Sequence, residues 1–401
     1  MQKQVIALML ANKRKNELRP LTQNISKSLM PYGGKYRIID FPLSNCMHSG
    51  IDTVGVITQY PYWELMAHIG KGEAWDMYHK SGGITILKGA GPGYDIRHTV
   101  RYIEQFCPQY VLILSGDNIY KMDYTPMLHL HRQKNADVTL SAVQVPWDIA
   151  SQFRIVYADS ESNLYKIELN PKFSENNLAS MGVYIFKWDI LKTYLLEQPK
   201  GLFSPYCIEQ NILYPMLHNG QKACVYRFKG YWADITSIQS FWKANMDLLK
   251  REWALDMHDK DWRIYTGSSE LFVHYASPTA RIKRSIVGEG GIIHGKITDS
   301  ILFPGVTVEK GAVIEDSIVM SGCRIGKNSR IKKCVLCEDT AVEKHCALGD
   351  IHTAPAHNPH RIYGFPITVV TKDRVISVSI QKKKEPFNRQ LRLKPCSKII
   401  M

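Results

Sequence analysis

The chain has 401 residues, of which 45% are hydrophobic and 22% charged, and its formal net charge is +14. This length and apolar fraction allow two domains with buried cores and exclude a disordered chain. The first apolar run, residues 5–10, is followed closely by Lys13, Arg14 and Lys15, so it is too short for a signal sequence or a membrane span, and we expect a cytoplasmic protein.

Residues 1–250 alternate short apolar runs with longer amphipathic segments, which is typical of a parallel sheet covered by helices. The pattern predicts strands at residues 5–10, 53–57, 110–114, 138–143 and 182–186. Ligands bind at the carboxyl ends of the strands in such sheets. The loops after Leu10 and Leu114 are therefore the first candidates for a functional site.

Residues 251–277 are interpreted as a linker, and a repeat follows it over residues 278–350. The four residues that begin at Asp299 recur at Asp316 and, more loosely, at Lys333, which is a spacing of 17. One aliphatic residue in six, with glycines between, predicts a three-sided coil, the left-handed parallel β-helix. A sandwich of short strands is the alternative, but sandwiches do not keep a fixed period over three turns.

Cys334 and Cys337, with His345 and Cys346 downstream, superficially resemble a zinc site. Cys334 takes the place that Ser317 holds one repeat earlier, so ordinary coil positions explain these residues better. The nine cysteines are an odd number scattered through apolar stretches, which is typical of reduced thiols.

Residues 351–401 are interpreted as a C-terminal extension. Its histidines at positions 352, 357 and 360 are interrupted by prolines, which favours a loop over a metal centre. Apart from residues 13–19 and 382–384, the basic residues are spread along the chain, and no nucleic-acid-binding motif accompanies them. We therefore expect no nucleic-acid partner, and anionic metabolites, an acidic partner subunit or plain solubility remain as explanations of the charge.

A family resemblance is carried by five segments. The stretch that begins Tyr32-Gly33-Gly34-Lys35 closely resembles the corresponding stretch of bacterial glucose-1-phosphate adenylyltransferases, and further matches follow in the right order; the segments are residues 32–51, 114–124, 179–186, 231–235 and 241–249. The resemblance implies a Rossmann-like (GT-A-like) nucleotidyltransferase domain of α/β class followed by a left-handed parallel β-helix. It also implies attack of a sugar phosphate on the α-phosphate of ATP, a step catalysed by backbone N–H groups, cations and Mg²⁺.

The phosphate-binding loop of that family resembles Ala-Gly-Gly-x-Gly-x-Arg-Leu, but residues 11–18 here depart from it. Asn12, Lys13 and Lys15 replace the three glycines, and Glu17 replaces the arginine. Side chains at glycine positions block the approach of phosphate and disfavour positive φ angles. A carboxylate beside a polyphosphate replaces attraction by repulsion. We therefore expect this loop not to function in catalysis.

Other catalytic segments are altered too. The lysine that the family uses for the sugar phosphate is replaced by Asn170, and the segments at residues 95–100 and 208–212 keep little of the family pattern. Asp117 and Asp234 resemble the family's magnesium ligands, and we interpret them as relics inherited with the fold, with a pair that still holds Mg²⁺ and an anion as the alternative. Lys27 also survives.

The sequence thus predicts a non-catalytic regulatory subunit of a hetero-oligomeric glucose-1-phosphate adenylyltransferase in glycogen biosynthesis. We expect a catalytic paralogue as its partner, with a hetero-tetramer as the assembly, and we expect no cofactor in this chain because Mg²⁺ belongs to the partner. Lys27, Lys35 and Arg37 are candidates for binding an anionic effector, a sugar phosphate or a nucleotide, with a solvated surface as the alternative.

Two alternatives to this function stay open. An active adenylyltransferase would need Lys13 and Lys15 to supply the charge that the loop has lost. A binding module in translation-factor assembly uses the same architecture, but the segments that match the adenylyltransferases argue against it.

Overall fold

The computed structural model describes residues 3–11, 18–22, 25–58, 63–78, 82–89, 96–197, 208–250, 255–267, 273–349, 367–372, 374–379 and 390–395. These residues form an α/β domain followed by a left-handed parallel β-helix, which confirms the predicted fold class. No helix in the described ranges is long and apolar enough to cross a bilayer.

The α/β domain contains 13 strands and eight helices in the part of the chain that is described. The strands are β1 (Val5–Leu10), β2 (Pro31–Tyr32), β3 (Tyr36–Arg37), β4 (Thr53–Thr58), β5 (Gly83–Lys88), β6 (Tyr110–Ser115), β7 (Asn118–Tyr120), β8 (Val138–Gln144), β9 (Arg154–Ala158), β10 (Leu164–Leu169), β11 (Leu178–Lys187), β12 (Ala223–Arg227) and β13 (Trp232–Asp234). The helices are α1 (Arg19–Thr22), α2 (Asp40–His48), α3 (Trp63–Ile69), α4 (Arg97–Glu104), α5 (Thr125–Gln133), α6 (Trp188–Glu197), α7 (Tyr214–His218) and α8 (Ile238–Asp247).

The central sheet has the strand order β10-β9-β11-β6-β1-β4-β5, and β8 joins it through β11 and also pairs with β12. The predicted strands are present, but the sheet is mixed rather than parallel, because β11 runs antiparallel to both β6 and β8. The five residues between β9 and β10 are too few for a crossover connection, so these two strands also pair antiparallel.

The first strand shows why a continuous apolar run becomes a central strand. Ala7 and Met9 pack into the core on one face of the sheet, and Ile6 and Leu8 pack into the core on the other. Both faces of β1 are covered, so every position except the ends needs an apolar side chain.

The β-helix consists of three sheets in which each strand pairs in parallel with the strand one coil later, except that the last strand of the first sheet pairs antiparallel with the strand before it. The first sheet contains β14 (Tyr275–Ala276), β17 (Ile292–Ile293), β20 (Thr307–Val308), β23 (Arg324–Ile325), β26 (Ala341–Val342), β29 (Arg374–Ser379) and β30 (Gln390–Pro395). The second contains β15 (Arg281–Lys283), β18 (Lys296–Thr298), β21 (Val313–Glu315), β24 (Arg330–Lys332) and β27 (Ala347–Leu348). The third contains β16 (Ile286–Val287), β19 (Ile301–Leu302), β22 (Ile318–Val319), β25 (Cys334–Leu336) and β28 (Thr368–Val370).

The strand register follows the sequence repeat. Val308, Ile325 and Val342 lie side by side in the first sheet and point into the buried core, as the repeat predicted. The coils do not stop at residue 350, because β28 pairs in parallel with β25 and β29 with β26. The β-helix therefore extends beyond the predicted boundary.

The cysteines of the apparent zinc motif lie at coil positions in the described structure. The Cys334 N–H donates to Ser317 Oγ at 3.1 Å, and the Ser317 N–H donates to Ser300 Oγ at the same distance. Cys334, Cys337 and Cys346 are buried in the cores of the β-helix and of its contact with the α/β domain. Burial raises the pKa of the Cys334 and Cys337 thiols to about 12, so both stay protonated at neutral pH.

Candidate functional site

The site lies where β1 and β6 end side by side. Leu10 is in register with Ser115, and the Gly116 N–H donates to the Leu10 carbonyl at 3.0 Å. Asp117 follows directly and is 3% exposed. This is the edge at which parallel strands present their ligands, and it is where the sequence placed the site.

Three distant segments meet at this edge. The β13 strand pairs antiparallel with β7, and this puts Asp234 opposite Asn118 and beside Asp117. Lys27 begins a short 3-10 helix, Lys27–Leu29, and its side chain is fully buried. Its Nζ lies 2.8 Å from Asp117 Oδ2 and 2.8 Å from Asp234 Oδ1. The ammonium group therefore bridges the two carboxylates.

In this triad of Lys27, Asp117 and Asp234, the two carboxylates stabilise the charged form of the lysine. Burial by itself lowers the pKa of the Lys27 ammonium, but Asp117 and Asp234 more than offset that effect, and the pKa lies above its usual value. Ser115 Oγ donates a further hydrogen bond to Asp117 Oδ1. Lys27 stays charged throughout the physiological range, and its charge is matched inside the protein.

A second ion pair lies near the triad. Arg154 Nε is 3.3 Å from Glu209 Oε1, and the Tyr184 hydroxyl donates to the same carboxylate oxygen. Burial lowers the pKa of Arg154, but Glu209, and more weakly Asp234 and Asp117, raise it above its usual value. The guanidinium of Arg154 therefore interacts electrostatically with all three carboxylates of the site.

Sequence reasoning missed Arg154, Glu209 and Tyr184. Glu209 lies in residues 208–212, a segment in which the sequence showed only that the family's pattern is missing. A carboxylate at the start of a buried apolar stretch was the available signal, because a buried charge requires a partner.

Two buried polar atoms close to Asp117 have no hydrogen-bond partner among the described atoms. They are Ser28 Oγ and Asn118 Oδ1, one residue beyond Lys27 and one beyond Asp117. Polar atoms left unpaired in this way are uncommon in protein interiors and cluster where ligands or water bind. Ser28 Oγ and Asn118 Oδ1 are therefore available to a ligand or to water at this edge.

Of the residues predicted to be degenerate, the structure describes only Asn170, which is not part of this network. Asn170 is exposed, has a φ of 46°, and donates its N–H to the Phe153 carbonyl at 3.2 Å, so it closes a turn after β10. Asn12, Lys13, Lys15 and Glu17 lie outside the described residues. Ala11, which precedes them, is at the carboxyl edge of the sheet, where its N–H donates to Ile57 at 2.9 Å.

The three cations predicted to bind an effector pair with different carboxylates. Lys35 Nζ lies 3.0 Å from Glu289 Oε1, and an Arg37 guanidinium nitrogen lies 3.5 Å from Glu338 Oε1. Both contacts join the α/β domain to the β-helix, whereas Lys27 is buried between Asp117 and Asp234. An effector site built on these cations stays a prediction, and an anion there would have to compete with these carboxylates.

The carboxylates fit Mg²⁺ by donor type only. Magnesium in proteins is usually held by one or two carboxylates together with substrate phosphates, so Asp117 and Asp234 would be a sufficient pair. The Lys27 ammonium occupies the position between them, and a divalent cation would have to displace it. No group of three or more potential ligands occurs in the part of the chain that the structure describes.

Comparison with known proteins covers both domains. A family model described as Nucleotidyl transferase matches residues 7–251, and one described as GlmU-like, C-terminal hexapeptide matches residues 269–370. The first range corresponds to the α/β domain and the second to the β-helix up to β28.

Curated relatives resemble the chain over most of its length. The glucose-1-phosphate adenylyltransferase of Acetivibrio thermocellus is 44% identical over 384 residues, which are 93% of this chain and 90% of the relative. Proteins of the same name from Bacillus cereus strain Q1 and Bacillus anthracis are 44% identical over 348 residues, 84% of this chain and 93% of each relative.

Proposed function

The chain belongs to the glucose-1-phosphate adenylyltransferase family, and from the altered residues of its catalytic segments we propose that it is a non-catalytic regulatory subunit that assembles with a catalytic paralogue. The complex would convert ATP and glucose 1-phosphate into ADP-glucose and pyrophosphate in the cytoplasm, as a step of glycogen biosynthesis. Mg²⁺ and the chemistry belong to the partner, and this chain contributes contacts and regulation.

The observation that carries the proposal is the sequence of the loop that follows β1. At residues 12, 13, 15 and 17 it has Asn, Lys, Lys and Glu where the family has three glycines and an arginine. Backbone N–H groups that cradle a phosphate need the close approach that glycine permits. Glu17 adds a negative charge next to the expected position of the triphosphate.

The charge of the described site leaves no surplus cation for a polyphosphate. Its two cations, Lys27 and Arg154, face three carboxylates, Asp117, Asp234 and Glu209, which leaves one net negative charge. Lys27, Asp117 and Asp234 match the family pattern, so this charge does not by itself argue against activity. The exposed Asn170 supplies no compensating cation.

The parts of the chain that are not needed for chemistry are preserved. The β-helix is complete in its described coils, and the segment that begins Tyr32-Gly33-Gly34-Lys35 contacts it closely. An enzyme losing function without selection would not be expected to restrict its losses to the catalytic segments. Such a pattern fits a subunit that is retained for its interfaces.

An active adenylyltransferase is the second candidate, and the retained Lys27, Asp117 and Asp234 together with the names of the relatives favour it. In that case Lys13 and Lys15 would replace the missing arginine.

The two candidates differ in the turnover of the isolated chain. We would incubate the purified protein with ATP, glucose 1-phosphate and Mg²⁺ and follow pyrophosphate release, alone and with the catalytic paralogue. We expect no turnover alone and a changed activator response of the paralogue in the mixture. Turnover of order 10 per second by the chain alone would overturn the proposal.

A restored variant sharpens this test. Replacing Asn12, Lys13 and Lys15 by Gly, together with Glu17→Arg and Asn170→Lys, should produce measurable turnover if the rest of the site is sound. Asp117→Asn in the restored background is the matched control and should remove that turnover. A wild-type chain as active as the restored one would favour the second candidate.

A further inference from the structure

The second sheet of the β-helix presents a strongly basic outer surface. Its outward positions form two columns that run across the coils. One column contains Arg281, Lys296, Val313 and Arg330, and the other contains Lys283, Thr298, Glu315 and Lys332. We call the five cations of these columns, Arg281, Lys283, Lys296, Arg330 and Lys332, the basic face.

The cations of the basic face are exposed, and the described residues form no ion pair with any of them, while Asp299 is near enough to Lys283 for the two charges to attract each other. All five side chains are solvent-exposed, and none has a carboxylate within 4.0 Å among the described residues. The neighbouring Arg284 differs, because Asp299 pairs with it through two hydrogen bonds of 2.6 and 2.7 Å. Five cations and the single carboxylate of Glu315 leave this surface with a net charge of +4.

The other two sheets have different outer surfaces. The third sheet is covered by the α/β domain, since its outward residues Ile301, Ile318 and Val335 belong to a core shared with that domain. Over its parallel strands β14 to β29, the outward column of the first sheet contains one cation, Arg324, among Tyr275, Ile292, Thr307, Ala341 and Val375. The charge is therefore a property of one side of the coil and not of the β-helix as a whole.

Close spacing makes this arrangement unfavourable in an isolated chain. Neighbouring strands lie about 4.8 Å apart, so Arg281 and Lys296, which are in register, repel each other over a distance shorter than the screening length of about 8 Å in physiological salt. A surface that supplies carboxylates would relieve the repulsion.

The same charges argue against a second copy of this chain as the occupant. A two-fold contact places a surface against itself, so cations would face cations, and like charges across an interface are unfavourable. The complementary occupant is a chain whose corresponding surface is acidic.

We propose that the basic face is the docking surface for an acidic sheet surface of the catalytic paralogue, and that its charge selects the mixed assembly over self-assembly. The inference rests on the proposed function and adds to it the surface that makes the contact. A flat parallel sheet suits another flat protein surface. Val313 and Glu315 lie in the middle of the columns, where a phosphate backbone would meet an apolar residue and a carboxylate.

The test uses two double variants of the full chain with the same change of charge. Arg281→Glu with Lys296→Glu reverses the basic face, and Arg324→Glu with Lys243→Glu reverses two exposed cations elsewhere. Each variant is mixed with the catalytic paralogue, and the dissociation constant and the mass of the complex are measured at two salt concentrations. Circular dichroism and the melting temperature verify that both variants fold.

We expect the basic-face variant to bind at least about 30-fold more weakly and to lose most of the salt dependence, and we expect the control variant to bind as the wild type does. Unchanged binding of the basic-face variant overturns the docking surface and leaves the regulatory function standing. Failure of the wild type to bind the paralogue overturns both. Binding of a short duplex DNA that is weakened by the basic-face variant would assign the surface to nucleic acid and also overturn the proposal.

Discussion

At the level of single residues, the buried ammonium group of Lys27 is the central charge of the candidate site. Lysine is almost never fully buried unless it is paired, and this one is paired twice. The pairing gives the site a cation that belongs to the chain itself. Loss of that cation would leave Asp117 buried without the ammonium that joins it to Asp234.

Replacing Lys27 by methionine keeps a long unbranched side chain, shorter by one atom, and removes its charge. We expect the free energy of unfolding to fall by about 3–5 kcal/mol, because breaking a buried pair from one side leaves an uncompensated charge. Urea unfolding at neutral pH measures the change. Lys35→Met is the control, since its pair with Glu289 is half-exposed and should contribute less than about 1 kcal/mol. Equal losses in the two variants would contradict the buried pairing.

We expect His131, which lies outside the candidate site, to make the free energy of unfolding depend on pH. The ring is fully buried, and its Nδ1 is 2.8 Å from Thr139 Oγ1. Burial first, and then the nearby Lys187 and Arg132, lower the pKa of His131 from 6.5 to about 4. The folded protein therefore holds this ring neutral, while the unfolded chain protonates it below about pH 6.5.

The direction in which stability changes with pH follows from which state of the chain binds more protons. Between the two pKa values the unfolded chain binds more protons, so the stabilisation is complete above about pH 6.5 and is lost as the pH falls towards 4, by as much as about 3 kcal/mol. In His131→Gln this component of the pH dependence should be missing when unfolding free energies are measured from pH 4.5 to 7. The exposed His129 provides the control, and a His129→Gln profile that flattens equally would refute the assignment.

At the level of elements, a ladder of serines stabilises one corner of the β-helix. Ser317 Oγ accepts from the Cys334 N–H at 3.1 Å and donates to the Glu315 carbonyl at 2.6 Å. Ser300 makes the equivalent contacts one coil earlier, with Ser317 and Thr298. The corner thus satisfies its buried backbone groups through hydroxyls that recur with the sequence repeat.

Ser317→Ala should break the ladder at its centre. The buried Cys334 N–H would lose its acceptor, and we expect a loss of about 1–3 kcal/mol in the free energy of unfolding, measured by denaturant titration. Ser285→Ala removes the corresponding hydroxyl in the more exposed first coil, where water can replace it, and should cost less than half as much. A larger loss at Ser285 would show that the ladder is not the stabilising feature.

At the level of the whole molecule, the two domains share one hydrophobic core. It joins Phe41 and Phe241 of the α/β domain with Ile301 and Ile318 of the β-helix. The Trp242 Nε1–H donates to the Asp316 carbonyl at 3.0 Å across the same contact. A short segment joins the candidate site to this contact, since Lys27 belongs to the site and Gly34, seven residues later, lies against the β-helix.

Gly34 is the closest point of this contact. Its φ is +78°, and a Cβ placed there would lie 2.9 Å from Ile286 Cγ2 in the β-helix. We expect Gly34→Ala to lower the free energy of unfolding by about 2–4 kcal/mol, from backbone strain and overpacking together. Gly50→Ala isolates the strain, because Gly50 has a φ of +69° and open space around it, and should lose only about 1 kcal/mol. Equal losses in thermal or urea unfolding would mean that the domains do not meet tightly here.

The sequence by itself determined the features that depend on local pattern. A continuous apolar run gives β1, because a strand covered on both faces has no position for a polar side chain. The 17-residue spacing gives the coils, since each coil must repeat the same inward positions. The segments at residues 32–51 and 114–124 carried the resemblance to the family, and together with residues 231–235 they predicted that Asp117 and Asp234 belong to one site.

Only the tertiary structure decided what depends on distant contacts. Lys27 is 90 positions from Asp117 and 207 from Asp234, and no periodicity connects residues so far apart. The antiparallel direction of β11, the Arg154–Glu209 pair and the return of the coil at β28 are of the same kind. Each depends on which strand edges and which buried charges meet when the chain packs, and that choice minimises unpaired polar groups over the whole fold rather than along any one segment.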